Sequence, residues 1–495
     1  MNRLTRRGFL GTAAGGGGLA ALGQTARPTT RRPNVLFLMS DDMRVDLGCY
    51  GSRFHARTPN LDALAKAGVR FDRNHCQFPL CNPSRSSLLT GRHPTTTGVL
   101  GNRTAFRDAH PDWVSLPQLF KENGYATPRI GKIFHGGIDD PKAWTEGGGV
   151  MEGNGGAGGH NLVIPPQEVP PKPPDVLPPL RQDVAQARNS DRIVILDGNG
   201  EGNPDYQVAD RAIEYLRKYK DQPFFIGCGF SKPHSPPAAP QWCFDLYDVN
   251  QLQLSPDFAA WPTVPPGFPK AAIRMLNADL FIRRGASVYE AKQVIRAYLA
   301  SISWVDWNVG RVIAELDRLG LRQNTIVVFV TDHGYQLGEK GKWSKAGSLF
   351  DMGTRVPLII AAPGVRGNGQ TCTRIVQSVD IYSTVTELCG LALPPGNEGR
   401  SLMPLLHNPK ARWDHPAYSV WSEDGQTLHG VMVRNEKWRY AEYGPKGEKG
   451  AMLFDPQADP FEMKNLADDP RYARVRAELS PLAGKYAANL GKTQV

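Results

Sequence analysis

The run Asn-Val-Leu-Phe-Leu-Met at residues 34–39 gives way at once to Ser40, Asp41 and Asp42. Its apolar positions do not alternate with polar ones, which predicts a strand buried on both faces that feeds a polar loop. A second such run, Ile326 to Val330, ends in Thr331, Asp332, His333 and Gly334. Both strands deliver acidic residues just beyond their C-terminal ends, where open parallel sheets with helical crossovers bind ligands. Residues 207–219 have helical spacing (Val208, Ile213, Leu216), Phe224 to Phe230 read as the strand that follows, and 290–319 are a long helical pattern leading into Ile326. Helix followed by strand, repeated, predicts an α/β fold with a large mixed sheet flanked by helices.

Two segments depart from this rhythm. Residues 147–180 are Gly-rich and then Pro-rich, an irregular surface insertion that either borders a cleft or is simply solvated. Beyond residue 400 come short strand-like runs at Ala417–Trp421, Gly430–Arg434, Trp438–Tyr443 and Ala451–Phe454, then a helix. They predict a smaller antiparallel subdomain, 401–495, on a catalytic domain, 27–400.

Composition places the chain among soluble globular proteins: 495 residues, 40% hydrophobic and 21% charged. The head of the chain, Thr5-Arg6-Arg7-Gly8-Phe9-Leu10 followed by a Gly/Ala stretch to Ala26 without an acidic residue, resembles a twin-arginine export signal. Residues 1–26 are therefore expected to engage the twin-arginine export machinery and be removed, leaving a periplasmic or extracellular protein. The stretch is too short and too glycine-rich for a stable membrane anchor. The formal net charge of +10 includes Arg3, Arg6 and Arg7, which leave with it. The remaining excess suits an anionic substrate, and no nucleic-acid partner is expected. Seven cysteines are an odd number for an oxidising compartment; if one is consumed chemically, the other six are open to disulfides or remain buried thiols.

Cys81-Asn82-Pro83-Ser84-Arg85, continuing to Leu89-Thr90-Gly91, resembles the C-x-P-S-R…L-T-G signature of the type I, formylglycine-dependent sulfatases. A lone cysteine is usually a small buried apolar side chain; these neighbours give it another meaning. The resemblance implies that a formylglycine-generating enzyme oxidises Cys81 to formylglycine, whose hydrate is the nucleophile. One hydroxyl attacks sulfur while the ester oxygen leaves, and the second loses its proton and expels sulfate. A serine could do only the first half. The residues after Cys81 predict a helix with Pro83 in its first turn, whose free amides favour a sulfuryl group. Arg85, one turn along, is expected to hold the hydrate and neutralise charge.

The attacking hydroxyl must lose a proton and the sulfuryl oxygens must be screened, both tasks for a hard divalent cation. Asp41, Asp42 and Asp332 provide oxygen ligands of the kind one calcium ion takes, with the Cys81-derived hydroxyl beside them. His333 does not follow from ligand hardness, since imidazole suits zinc better. A narrower resemblance, to the iduronate-2-sulfatases and their bacterial relatives, places a histidine at this metal position. It spans nearly the whole mature chain and rests on RPNVLFLMSDD at 32–42, CNPSR, GKIFH at 131–135, KPH at 232–234 and DHGYQLGEKGKWSK at 332–345.

By that resemblance Lys132 binds sulfate, His135 contacts the hydrate, and His234 and Lys345 approach the scissile ester oxygen. One of the last two protonates the leaving alkoxide, with His234 favoured. Outside their motif, Lys132 would be a surface charge and His135 a core histidine. Lys340 stands where relatives often have histidine and is either a substrate contact or a solvated loop charge. Tyr335 is expected to line the pocket, and Trp343 either stacks on a sugar or packs.

The expected function is hydrolysis of a sulfuric ester on a sulfated saccharide. A phosphoester or phosphonate hydrolase of the same superfamily would need a second metal cluster, for which the sequence offers none. An inactive glycan-binding relative would need a damaged nucleophile or missing carboxylates, and every such position is filled.

Overall fold

The chain's computed structural model describes residues 32–147, 159–177 and 189–488. The twin-arginine segment, residues 1–26, lies outside the described residues, as do parts of the 147–180 insertion. In chain order the strands are β1 (Asn34–Asp41), β2 (Val69–His75), β3 (Pro128–Gly131), β4 (Glu146–Gly147), β5 (His160–Asn161), β6 (Val194–Leu196), β7 (Phe225–Pro233) and β8 (Ala238–Pro240). They continue with β9 (Thr325–Thr331), β10 (Arg355–Val356), β11 (Leu358–Ala361), β12 (Thr371–Gln377), β13 (Ala417–Trp421), β14 (Gly430–Arg434), β15 (Arg439–Tyr443) and β16 (Ala451–Phe454).

Among the described residues, nine strands form one mixed sheet in the order β10-β2-β11-β9-β1-β7-β3-β4, with β12 also on β2. Its centre is parallel: β1 runs with β9 from Asn34↔Thr325 to Ser40↔Thr331, and with β7 on its other side. β1 and β9 are buried along their whole length, which is why their sequences read as unbroken apolar runs.

Alternate residues supply two cores. Leu36, Leu38, Val327 and Phe329 face one, packed under the helices Pro204–Tyr219 and Val288–Arg318. Val35, Phe37, Met39, Val328 and Val330 face the other, with Leu88, Leu119, Phe120 and Val385 from three further helices. The long helix starts where the predicted pattern does because Ser287 and Glu290 form a reciprocal capping box.

β13 to β16 form an antiparallel meander, with the helix Ala473–Ala487 packed on β14 and β15. It meets the loop after β2, where the Val420 N–H donates to Gln77 O at 2.9 Å. Fully buried Arg439 adds ion pairs to Asp351 and, at 2.9 Å, to Glu462. All seven cysteines are free, six of them buried, so the buried-thiol reading describes this structure rather than the disulfide one.

Candidate active site

The neighbouring parallel strands β9, β1, β7 and β3 end on one edge of the sheet. Asp332 and His333 follow β9, Asp42 follows Asp41 at the end of β1, His234 follows β7, and Lys132 and His135 follow β3. Asp42 adopts a left-handed φ of 62°, a conformation that aspartate tolerates better than most residues, and its N–H donates to Asp332 Oδ1 at 3.2 Å. Gly131, with φ of 70°, lets β3 lie against β7: a Cβ there would sit 2.0 Å from Gly229 O. The same oxygen accepts the N–H of Lys132 at 2.9 Å.

A fifth element closes the group. The helix Cys81–Thr90 is buried throughout and begins at Cys81 itself, with Pro83 in its first turn. Ser84 Oγ donates to the backbone oxygen of Asp332 at 2.5 Å, pinning the helix to the loop after β9. Cys81 Sγ then lies 3.2 Å from His333 Nε2.

Ligand atoms of Asp41, Asp42, Cys81 and His333 all fall within 4.8 Å of one another, and all four residues are buried. Asp332 stands alongside, its Oδ2 3.6 Å from His333 Nε2 and bonded to Arg85 Nε at 2.8 Å. His333 Nδ1 faces Gly334 O at 3.0 Å and must donate to it, which leaves Nε2 as the ring's ligand atom. Asp42 Oδ1 is buried without a hydrogen-bond donor. A cation fits this set. Burial opposes charge on His333, yet Asp332, Cys81 and Asp42 lift it to about 10, which shows the negative field that a cation here would meet.

The cations around the cluster are committed to its carboxylates. Lys132 Nζ is 2.6 Å from Asp41 Oδ2, and Lys345 Nζ is 2.9 Å from Asp42 Oδ2 and 3.2 Å from Asp279 Oδ1. Burial alone would raise the Asp41 carboxyl, but Lys132 and then Arg85 hold it well below the usual range. Burial keeps Asp42 well above its usual value despite Lys345 and His333.

Arg85, the residue expected to hold the hydrate, is bound to the carboxylates of Asp41 and Asp332. Its Nη2 meets Asp41 at 3.1 Å, and its Nη1 donates to the backbone oxygens of Lys132 (2.5 Å) and Ile133 (3.0 Å). It ties together the ends of β1, β3 and β9 from beneath.

Above the cluster opens a cleft of about 750 Å³, lined by Cys81, Lys132, His135, His234 and Lys345 among others. His234 Nδ1 lies 2.8 Å from Ser235 O, and burial, reinforced by Lys345, pushes its pKa well below the ordinary histidine value. It is therefore neutral, with Nε2 as an acceptor 4.0 Å from Asp42. Asp279 and Asp42, against the effect of burial, keep Lys345 an ammonium.

Two loop residues, Lys340 and Tyr335, differ from expectation, and Trp343 takes the packing alternative. Lys340 is neither solvated nor in the cleft: it is buried, 2.7 Å from Asp257 and 4.7 Å above the Phe350 ring. Trp343 packs, wholly buried, on Phe281 with ring centroids 4.7 Å apart. Tyr335 is buried, its hydroxyl donating to Trp343 O at 3.0 Å, and does not line the cleft. Nor does any described residue of the Pro-rich insertion. Asp279, Arg274 and Asp205 line the cleft without having been expected there. Asp205 accepts the N–H groups of Ser231 and Lys232 at 2.8 Å each and so fixes the turn carrying His234.

The model of the sulfatase family matches residues 33–391, and that of the N-sulphoglucosamine sulphohydrolase C-terminal region matches 338–486. The chain belongs to the sulfatase family and is a sulfatase. Human iduronate 2-sulfatase is 32% identical over 426 residues, covering 75% of this chain and 71% of that protein. A sulfatase of Formosa agariphila is 33% identical over 465 residues, covering 92% and 87%. The phosphonate monoester hydrolase of Agrobacterium radiobacter shares the fold, with a TM-score of 0.71 at 21% identity over 94% of this chain and 97% of that one. Among the described residues no helix is long and apolar enough to cross a membrane.

Proposed function

We propose that this sulfatase is exported and removes sulfate from a sulfated saccharide, with a formylglycine made from Cys81 by a formylglycine-generating enzyme. One calcium ion would be held by Asp41, Asp42, Asp332, His333 and the Cys81 position. The observation that carries this reading is the convergence of buried carboxylates, an imidazole and Cys81 beneath a cleft ringed by Lys132, His234 and Lys345. A human relative in the family is named iduronate 2-sulfatase, which supports a saccharide, and Thr5 to Leu10 support twin-arginine export.

The calcium ion would screen sulfuryl oxygens and favour the ionised hydroxyl; the aldehyde hydrate would supply that hydroxyl. The chain's own residues do the rest. Lys132 and Lys345 bring ammonium groups to the cleft wall, where they offset the sulfuryl charge. Asp279 and Asp42 keep the proton a leaving alkoxide needs on Lys345, whereas burial disfavours a charged His234, so charge supports Lys345 over His234 as donor in this reading.

Lys345→Met is accordingly expected to lower kcat on a sulfated sugar by about 10²- to 10⁴-fold, the usual worth of a general acid. On an aryl sulfate, whose phenolate leaves unaided, the loss should be far smaller. Equal losses on both substrates would leave Lys345 a sulfate ligand and return the proton to His234.

Peptide mass spectrometry of natively produced enzyme, with a panel of defined sulfated oligosaccharides scored for released sulfate, tests the reading as a whole. Unmodified Cys81 in fully active protein would sink the formylglycine mechanism. Turnover of aryl or choline sulfates alone would refute the saccharide, and turnover of phosphonate esters in preference to sulfates would favour the phosphonate hydrolase. Chelation should abolish turnover by at least about 100-fold, with calcium and not zinc restoring it, given the oxygen-rich donor set.

A further inference from the structure

One wall of the cleft is the segment 274–279, which supplies Arg274, Ala278 and Asp279. It is stitched to the loop that carries Lys345. Asn277 Oδ1 accepts the N–H of Trp343 at 3.0 Å, Asn277 Nδ2 donates to Gly341 O at 3.3 Å, and Lys342 Nζ donates to Leu276 O. The wall is thus set in place before a substrate arrives.

Within it, Asp279 is already committed to Lys345, while Arg274 has no such partner. The residue is half-buried in the cleft lining, and among the described residues its guanidinium meets no carboxylate and makes no side-chain hydrogen bond. Its charged neighbour, buried Lys342, is another cation; burial, and then the charge of Arg274, push that amine down to about 7. A guanidinium stays ionised at any working pH, and a partly buried charge without a counter-charge costs free energy that an anionic ligand would recover.

The other guanidinium of the cleft, Arg103, is exposed on the rim. The loop behind it adjoins the one bearing Glu423 and Asp424, since a Cβ on Gly101 would lie 3.6 Å from Gly425 Cα. Asp424 is satisfied by Ser422, Gln426 and Thr427, and Glu423 is exposed beside it, so the lining at Arg103 and Glu423 carries both signs, whereas Arg274 is a half-buried cation without a counter-charge among the described residues.

We propose that Arg274 binds a second anionic group of the substrate, a carboxylate or a second sulfate ester, and thereby makes polyanionic saccharides the preferred substrates. This rests on the sulfated-saccharide reading above and sharpens it. The planar fork of donors matches two oxygens of either group, while the reacting sulfate is held by Lys132 and Lys345.

The test compares wild type, Arg274→Gln and Arg274→Lys on four substrates: a sulfated uronate disaccharide, its carboxyl-reduced counterpart, a disulfated neutral disaccharide and 4-nitrophenyl sulfate. Wild type should prefer the uronate or the disulfated sugar over the carboxyl-reduced one, and which of the two it prefers identifies the group. Arg274→Gln should lose that preference through a KM increase of about 10- to 100-fold, the worth of one charged hydrogen-bonded contact. Its turnover of 4-nitrophenyl sulfate should stay within about threefold, which also shows that the variant folds. Arg274→Lys, which keeps the charge but not the fork, should fall between. Equal loss on all four substrates, or a preference that survives Arg274→Gln, overturns the proposal while leaving the saccharide reading intact. Wild-type activity confined to 4-nitrophenyl sulfate defeats both.

Discussion

Cys81→Ser protein is expected to lose multiple turnover of sulfate esters by about four orders of magnitude or more, as removal of a nucleophile does elsewhere, and yet to become sulfated itself. A serine placed at the start of the buried helix, with His333 Nε2 3.2 Å from the side-chain position of residue 81, has an oxygen that can attack sulfur. It has no second hydroxyl whose deprotonation would expel the sulfate, so the ester should persist. Mass spectrometry of the peptide containing residue 81 after exposure to substrate should show one sulfate per chain in Cys81→Ser and none in Cys81→Ala. This pair separates a chemical role from a structural one, because both substitutions suit a site that is 1% exposed and neither enlarges the side chain. Wild-type turnover by Cys81→Ser would remove formylglycine from the mechanism.

How much of the site could be read in advance followed from how local its determinants are. Asp41, Asp42, Asp332 and His333 sit at the ends of unbroken apolar runs, and a strand buried on both faces has to end at a sheet edge, so sequence alone places them there. Cys81, Lys132 and His234 stand in short motifs that likewise follow or begin an element. Asp279 and Arg274 carry no such mark. They lie in an irregular stretch whose place is set by bonds to Gly341 and Trp343, more than sixty residues away. Lys340 was misread for the same reason: its charge is visible in sequence, but Asp257, which neutralises it, is not.

The sheet's mixed character was legible in outline but not in the detail of strand direction. Strand β11 pairs antiparallel with β9 because the segment between them is spent on the site. Residues 332–350 form the loops carrying His333 and Lys345, and only the four-residue helix Asp351–Thr354 follows. That leaves no crossover helix of the length a parallel return requires.

Arg85→Met should be the most destabilising single change at the site, by about 3–5 kcal/mol in the presence of chelator, the cost of stripping one partner from a buried ionic group. Arg85, Asp41 and Asp332 are all fully excluded from solvent, so water cannot replace the guanidinium, and Lys132 reaches only Asp41. Methionine matches much of the arginine stem, which makes the loss chiefly one of charge and of the links to the Lys132 and Ile133 carbonyls. Calcium should recover part of it, since an ion that binds only the folded state stabilises that state by mass action. The sign with pH follows from Asp41. Its carboxyl is held below the unfolded value in the folded protein, so its contribution is present above the unfolded pKa and lost as pH falls through the folded one. Without Arg85 the folded carboxyl pKa rises, and the variant takes up protons earlier on acidification. The gap between wild type and variant in urea unfolding should therefore narrow as pH falls below the unfolded carboxyl value, about 4. A deficit under about 1 kcal/mol, the range of an exposed ion pair, unchanged by calcium and by pH, would place Arg85 outside the charge balance of the site.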